Sequence, residues 1–91
     1  MRVEFTPNGW ADFCYWLDAD KGKADRIREL ITDIRRDPFK GLGKPEALRH
    51  QLAGFWSRRI DAEHRLVYAV SGGKDDRRVT ILSCRYHYDC S

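Results

Sequence analysis

The sequence predicts a small α+β fold in which an N-terminal strand and a helical hairpin precede a three-stranded antiparallel meander. Apolar residues recur at helical spacing through the first 34 residues, and a loop rich in glycine and lysine follows. From residue 55 onward, short runs of β-branched and aromatic residues are separated by turns. Ninety-one residues suffice for one hydrophobic core, so residues 1–91 are expected to form a single domain.

The N-terminal part is predicted to form a strand over Met1–Thr6, then two helices, with Asn8 as a candidate cap of the first. The second helix should end before Asp37-Pro38, because the residue that precedes a proline avoids helical geometry. The predicted core stripes are Trp10, Phe13, Cys14 and Leu17 on the first helix, and Ala24, Ile27, Leu30, Ile31 and Ile34 on the second.

The C-terminal part is predicted to contain one helical turn within Glu46–Leu52 and three strands. If Asp61–Glu63 forms a three-residue hairpin loop, Arg59 lies directly opposite Arg65. Two arginines in that position repel each other and favour an anion between them. In a register shifted by one residue they would instead point separately into solvent. The predicted strands are Phe55–Ile60, Arg65–Val70 and Val79–Arg85, and the second, apolar on both faces, should be central.

Composition narrows the function classes. Residues 1–34 carry a charge of −2 and residues 35–91 a charge of +5, which is typical of a basic face for a polyanion or of an uneven solvated surface. No apolar run has the ~20 residues of a membrane helix, and no signal peptide is recognised, so no membrane partner and a cytoplasmic location are expected. Cys84, His87 and Cys90 lack a fourth ligand, so neither a metal nor another cofactor is predicted.

Four motifs, in order along the chain, carry a specific resemblance: GKPE (43–46), GFWSRRI (54–60), EHRLVY (63–68) and CRYHY (84–88). Together with a weaker likeness over residues 10–36, they closely resemble the YoeB (Txe) branch of the RelE-like toxin superfamily. The resemblance implies a ribosome-dependent endoribonuclease that cuts mRNA without a metal. It also implies a RelE-like fold and a type II toxin–antitoxin system.

The resemblance further implies a role for each motif. Glu46 would be the general base, His87 the general acid, Arg65 the group that stabilises phosphate, and Tyr88 a residue that orients the substrate. The ordinary alternatives are a solvated carboxylate at Glu46, a surface histidine at His87, a salt bridge from Arg65 to Glu63, and plain packing of Tyr88. The expected additional RNA contacts, each of which could instead be merely solvated, are Lys44, Arg49, His50, Arg58 and Arg59.

The implied partners are a YefM-like antitoxin, mRNA, and the ribosomal A site with its 16S and 23S rRNA. Operator DNA would be bound indirectly through the antitoxin, and a homodimer is left open. Two other function classes fit the same elements. A gyrase-inhibiting toxin of the ParE type would need no pair such as Glu46 and His87, and a nucleic-acid-binding module would not explain a histidine between two tyrosines.

Overall fold

The computed structural model of the chain describes residues 1–86, and it confirms the predicted α+β class. One turn of 3-10 helix, His50–Leu52, interrupts the chain between the second and third strands. The other elements, in chain order, are β1 (Arg2–Phe5), α1 (Pro7–Ala19), α2 (Lys21–Arg36), β2 (Glu46–Ala47), β3 (Phe55–Arg59), β4 (Arg65–Ser71) and β5 (Arg78–Ser83).

The strands form one sheet in the order β1-β5-β4-β3-β2. The pairings β5-β4, β4-β3 and β3-β2 are antiparallel, which confirms the predicted meander. β4 is the central strand, and Leu66, Val67 and Tyr68 are buried, as its apolar character on both faces predicted. The N-terminal strand, by contrast, pairs in parallel with β5, a pairing for which its own sequence carries no local signal.

The second helix is formed as predicted. Asp20 caps it, since its carboxylate accepts from the N–H of Lys23 at 3.3 Å, and it ends at Arg36, directly before Asp37-Pro38. Four residues at helical spacing are buried on its inner face, whereas Ile31 is only partly buried. The four are Ala24, Ile27, Leu30 and Ile34.

The predicted inner face of α1 is only partly correct, because Phe13 packs against the core and Cys14 is partly buried, whereas Leu17 is exposed. Thr6, two residues before the predicted cap Asn8, is the N-cap, because its Oγ1 accepts from the N–H of Gly9 at 3.0 Å, and the helix begins at Pro7. Gly9 and Trp16, seven residues apart, face the sheet, and Trp16 is 6% exposed. Trp10 is 53% exposed, so it is not a core residue; its ring packs edge-on against Phe5 at 5.5 Å.

The predicted helical turn within Glu46–Leu52 is replaced by two smaller features. Glu46 and Ala47 form the edge strand β2, paired with β3, and only the last three residues adopt a 3-10 turn. Leu48 anchors the segment, because it is buried and its N–H donates to the carbonyl of Phe55 at 2.9 Å. The segment therefore continues the sheet, where a backbone edge was available for pairing.

The helical hairpin packs on one face of the sheet, and the core lies between them. Side chains from α2 meet Leu66, Tyr68, Val79 and Ile81 there. Within residues 1–86, neither helix is both long and apolar enough to span a membrane. The opposite face of the sheet carries the second set of alternating side chains from β2, β3 and β4.

Candidate functional site

The opposite face of the sheet brings three of the predicted site residues together. Glu46 pairs with Ser57 across β2 and β3, and Arg59 lies two positions further along β3, so both point to the same face. Arg59 in turn pairs with Arg65 on β4. Strand geometry separates the Cα atoms of Glu46 and Arg59 by on the order of 8 Å and those of the two arginines by about 5 Å.

The opposed arginines confirm the register that the hairpin loop predicted. The N–H of Ile60 donates to the carbonyl of His64 at 3.0 Å and closes a loop of three residues. Arg59 is exposed and Arg65 is partly buried. Arg59 and Arg65 lie directly opposite each other on the face of the sheet that points away from the helices. An anion bound between them would offset the repulsion of their positive charges.

The guanidinium of Arg65 is held by the backbone of the hairpin loop. Its Nη1 donates to the carbonyl of Asp61 at 2.8 Å and to that of His64 at 3.1 Å. No salt bridge between Arg65 and Glu63 occurs within the described part of the chain, where Glu63 lies beside His64 instead. The side chain is thus oriented by neutral acceptors, and its positive charge is not cancelled by them.

Asp61 stabilises this loop. Its Oδ1 accepts from the N–H groups of Glu63 at 2.8 Å and His64 at 2.6 Å, and its Oδ2 lies 2.9 Å from Nζ of Lys23 on α2. Burial opposes ionisation of Asp61, but the hydrogen bonds from Lys23 and from the two backbone N–H groups outweigh it. Together they lower the pKa of Asp61 to about 2, so the carboxylate is charged at neutral pH.

The segment that carries Glu46 also presents three predicted RNA contacts. Lys44, Arg49 and His50 are exposed on it, as is Glu46 itself. Both Lys44 (φ 53°) and His50 (φ 59°) adopt left-handed backbone conformations, which residues with a side chain seldom do. The N–H of Arg59 donates to the carbonyl of Gly43 at 2.6 Å, so the loop before Glu46 is tied directly to β3.

The prediction that Arg58 contacts RNA is wrong. Arg58 lies on the helix side of β3 and is 0% exposed, so it cannot reach a ligand on the other face. Its donors are used inside the protein by a carboxylate of α2, a phenol of β4 and three carbonyls of the loop after α2. These acceptors are Asp33 (2.5 Å), Tyr68 (3.1 Å), Asp37 (2.6 Å), Lys40 (3.1 Å) and Leu42 (3.1 Å).

Asp33 is the anionic partner of Arg58 in the interior. The hydrogen bond from the N–H of Leu42, at 2.8 Å, lowers its pKa most; burial acts in the opposite direction, and hydrogen bonds from Arg58 and Arg36 lower it further. The result is a pKa of about 2. Arg58 and Asp33 therefore form a charged pair that fixes the loop leading to Lys44 and Glu46.

The predicted acid His87 and the predicted orienting residue Tyr88 lie outside the described residues. The last described residue, Tyr86, has its carbonyl oxygen bonded to the N–H of Arg65 at 3.1 Å. The described chain thus ends beside the arginine pair. Before that point, Cys84 is buried, and its burial, with a smaller contribution from the carboxylate of Asp12, raises the thiol pKa to about 12. Thiolate chemistry at Cys84 is therefore disfavoured at neutral pH.

His64 and Tyr86 are contacts that the sequence did not reveal. His64, which lies within the motif EHRLVY, is buried, and its Nδ1 accepts from the N–H of Tyr86 at 2.7 Å. Its position next to Arg65, at the end of a predicted hairpin loop, was the available signal. The sequence places His64 at the end of the hairpin loop, but only the fold brings Tyr86, 22 residues later in the chain, within hydrogen-bond distance of it.

Comparison with known proteins identifies the family. A family model described as the YoeB-like toxin of bacterial type II toxin–antitoxin systems matches residues 5–88. Toxin YoeB of Mycobacterium bovis is 56% identical over 86 residues, which cover 94% of this chain and 96% of that protein. Toxin YoeB of Escherichia coli K12 is 52% identical over 88 residues, which cover 97% and 100% respectively.

Solved structures agree with these matches. The YoeB/ParE toxin from Agrobacterium tumefaciens superimposes with a TM-score of 0.92 at 45% identity, covering 97% of this chain and 100% of that one. The YoeB dimer from Staphylococcus aureus superimposes with a TM-score of 0.86 at 42% identity, covering 97% and 98%. The YoeB of a heterotetrameric YoeB–YefM complex from the same organism gives 0.84 at 40% identity, with the same coverage. The chain therefore belongs to the YoeB-like toxin family of bacterial type II toxin–antitoxin systems.

Proposed function

We propose that this toxin is a ribosome-dependent endoribonuclease that cuts mRNA in the A site without a metal ion. The 2′-hydroxyl would attack the neighbouring phosphate, leaving a 2′,3′-cyclic phosphate and a free 5′-hydroxyl. The observation that carries the proposal is the placement of Glu46, Arg59 and Arg65 on one sheet face. Tyr86, which immediately precedes His87 in the chain, is bonded to Arg65 at the same place.

Each catalytic group has a chemical task in the proposed reaction. Glu46 accepts the 2′-hydroxyl proton, His87 protonates the departing 5′-oxygen, and Tyr88 orients the substrate. Arg65 would meet the phosphate: among residues 1–86 only its Nη1 has acceptors, and in this proposal Nε and Nη2 donate to the phosphate oxygens. The surrounding exposed side chains that would contact the RNA backbone are Lys44, Arg49, His50 and Arg59.

The exposure of this face supports the proposed dependence on the ribosome. Glu46 and Arg59 are exposed, so the protein by itself supplies little to hold a flexible RNA strand in line for attack. A ribosome that already holds mRNA in its A site would supply that alignment, which is worth several powers of ten in rate. The rRNA around the A site would then meet the same basic side chains through its phosphates.

The first prediction concerns the acid and the base. Glu46→Ala and His87→Ala should each slow cleavage of mRNA on programmed ribosomes by roughly 10²–10⁴-fold, the range for one positioned acid or base. Single-turnover cleavage would be followed with end-labelled mRNA, and fragment ends would be tested for a 5′-hydroxyl. Glu29→Ala, which removes an exposed carboxylate on α2, is the matched control and should cut at the parent rate.

A product with a 5′-phosphate, or parent-like rates for the Glu46→Ala, His87→Ala double variant, would contradict this chemistry. Double-strand breaks in DNA in the presence of gyrase, with intact mRNA, would instead indicate a gyrase-inhibiting toxin.

The second prediction concerns the partner. We propose that an acidic, partly disordered YefM-like antitoxin folds onto the basic face around Lys44 and Arg65. The antitoxin, and not the toxin, would contact operator DNA. In the related S. aureus system the toxin was solved with YefM and also as a dimer. The cytoplasm, where ribosomes lie, is the proposed location.

Titration of this toxin with its antitoxin should abolish cleavage at equimolar ratio. An unrelated acidic protein of equal net charge is the control, since it tests simple polyanion competition. A saturated complex that still cleaves at the full rate would show that the antitoxin binds elsewhere.

A further inference from the structure

The backbone of Tyr86 is held at both of its polar groups. Its N–H donates to Nδ1 of His64 at 2.7 Å, and its carbonyl oxygen accepts from the N–H of Arg65 at 3.1 Å. Two consecutive residues of the hairpin therefore fix the peptide groups on either side of Tyr86. The bond to Arg65 uses backbone atoms only, whereas the bond to His64 depends on a particular side chain.

The backbone of Tyr86 adopts an intrinsically unfavourable conformation. Its φ is 66°, in the left-handed region that residues with a Cβ atom seldom occupy. Such a conformation persists only when the surroundings determine it, and it occurs preferentially at functional sites. In this structure the hydrogen bonds to His64 and Arg65 hold the conformation. The guanidinium of Arg85 also stacks on the Tyr86 ring, with its Cζ 4.6 Å from the ring centre.

His64 is itself firmly placed. It is 8% exposed, and its ring packs edge-on against Trp16 of α1 with 4.8 Å between ring centres. Its own N–H donates to Asp61 at 2.6 Å. Because a backbone N–H can only donate, Nδ1 must carry a lone pair, and the neutral ring then bears its proton on Nε2, which lies 3.7 Å from the Glu63 carboxylate.

We propose that His64 is a positioning residue of the proposed nuclease. Its neutral Nδ1 holds Tyr86, the residue directly before His87 in the sequence, in the left-handed conformation beside Arg65. The inference rests on the proposed function for its effect on catalysis. The bonded geometry itself, an imidazole acceptor for a strained peptide N–H, is independent of any activity.

The decisive comparison is His64→Asn with His64→Leu. The two replacement side chains have nearly the same shape, so both lose the same packing against Trp16. Only asparagine keeps an acceptor at the δ position. If the acceptor positions the chain, His64→Leu should lower kcat for cleavage on ribosomes by roughly 10²-fold, the effect of a small misplacement of a catalytic group. His64→Asn should recover most of that loss, and KM should be the same for both.

A second measurement does not use activity. In the parent protein, ¹⁵N spectra should show His64 protonated at Nε2 only, and the Tyr86 amide should exchange slowly with solvent. That protection should be lost in His64→Leu and kept in His64→Asn, at equal melting temperatures.

Several results would overturn the proposal: parent-like cleavage by His64→Leu, equal losses in both variants, or a His64 ring protonated at Nδ1 in the parent. A parent protein that fails to cut mRNA would overturn the proposed function instead. The tautomer and amide exchange would still decide whether His64 holds Tyr86.

Discussion

Three arginines of one hairpin show how strongly the environment of a single residue decides its task. Arg58 is buried among protein acceptors, Arg59 is exposed, and Arg65 lies between these extremes with part of its guanidinium held by carbonyls. All three carry the same fixed charge. Only the two that point away from the helices can meet a polyanion.

At this scale, Arg65→Lys should remove most cleavage activity and leave the fold intact. An ammonium group is a point charge, so it cannot keep the Asp61 and His64 carbonyls and also present two parallel donors to phosphate. Cleavage on ribosomes and thermal melting would be measured together.

Arg59→Ala is the matched comparison. It should be milder and should reduce the salt dependence of RNA binding by about one ion, as expected for one backbone contact. If Arg65→Lys cuts as fast as the parent, the phosphate is held by another group.

At the scale of elements, the contact between α1 and β5 determines which face of α1 is buried. Gly9 lies directly over the backbone of β5: a Cβ atom there would overlap the carbonyl oxygen of Ile81. The close approach allows Trp16 to be buried, where its Nε1 donates to the carbonyl of Cys84 at 2.8 Å. A larger residue in place of Gly9 would lift the helix from the sheet.

Gly9→Ala should therefore destabilise the protein, although alanine is favoured over glycine in a helix by up to about 1 kcal/mol. Overpacking of this kind costs about 1–3 kcal/mol, so a net loss is expected in the free energy of unfolding measured with urea. Ala11→Gly, at an exposed position of the same helix, is the control and should lose only the helix propensity. A Gly9→Ala variant more stable than the parent would show that the helix can move away without cost.

At the scale of the whole molecule, the pair of Arg58 and Asp33 connects separate parts of the fold. It joins α2 to β3, and through Tyr68 and the carbonyls of the following loop it also reaches β4 and the segment before Glu46. Removing Asp33 leaves the buried guanidinium of Arg58 without its carboxylate partner, and loss of one member of a buried ion pair typically costs about 3–5 kcal/mol.

The acid stability of the protein should report this network. The pKa of Asp33 is about 2 in the folded protein, below its ordinary value of 3.8, so its contribution is complete above pH ~4. The contribution is lost as the pH falls towards 2, because the unfolded chain takes up the proton first. Asp61 acts in the same direction and over the same range.

Urea unfolding between pH 5 and pH 2 should therefore show a steep loss of stability in the parent. It should be shallower in Asp33→Asn, which has no charge to lose at this position. Asp25→Asn, an exposed carboxylate on the same helix, should retain the parent slope. An unchanged slope in Asp33→Asn would mean that its charge contributes no stability.

The sequence by itself determined the α+β class, the inner face of α2, the end of that helix before Pro38, and the pairing of Arg59 with Arg65. These features depend on helical spacing, proline geometry and the length of one hairpin loop, all of which act over a few residues. The four motifs also predicted the family, and the family match confirms it.

Only the tertiary structure decided which face of α1 is buried, that Arg58 points inward, that β1 runs parallel to β5, and that His64 accepts from Tyr86. In each case the partner lies far away along the chain: Trp16 bonds to Cys84, Arg58 to Asp33, and His64 to Tyr86. Local patterns specify which groups can be buried or can donate. Long-range packing selects the acceptor that each one meets, because a buried donor must find a partner and the fold alone determines which acceptors are near.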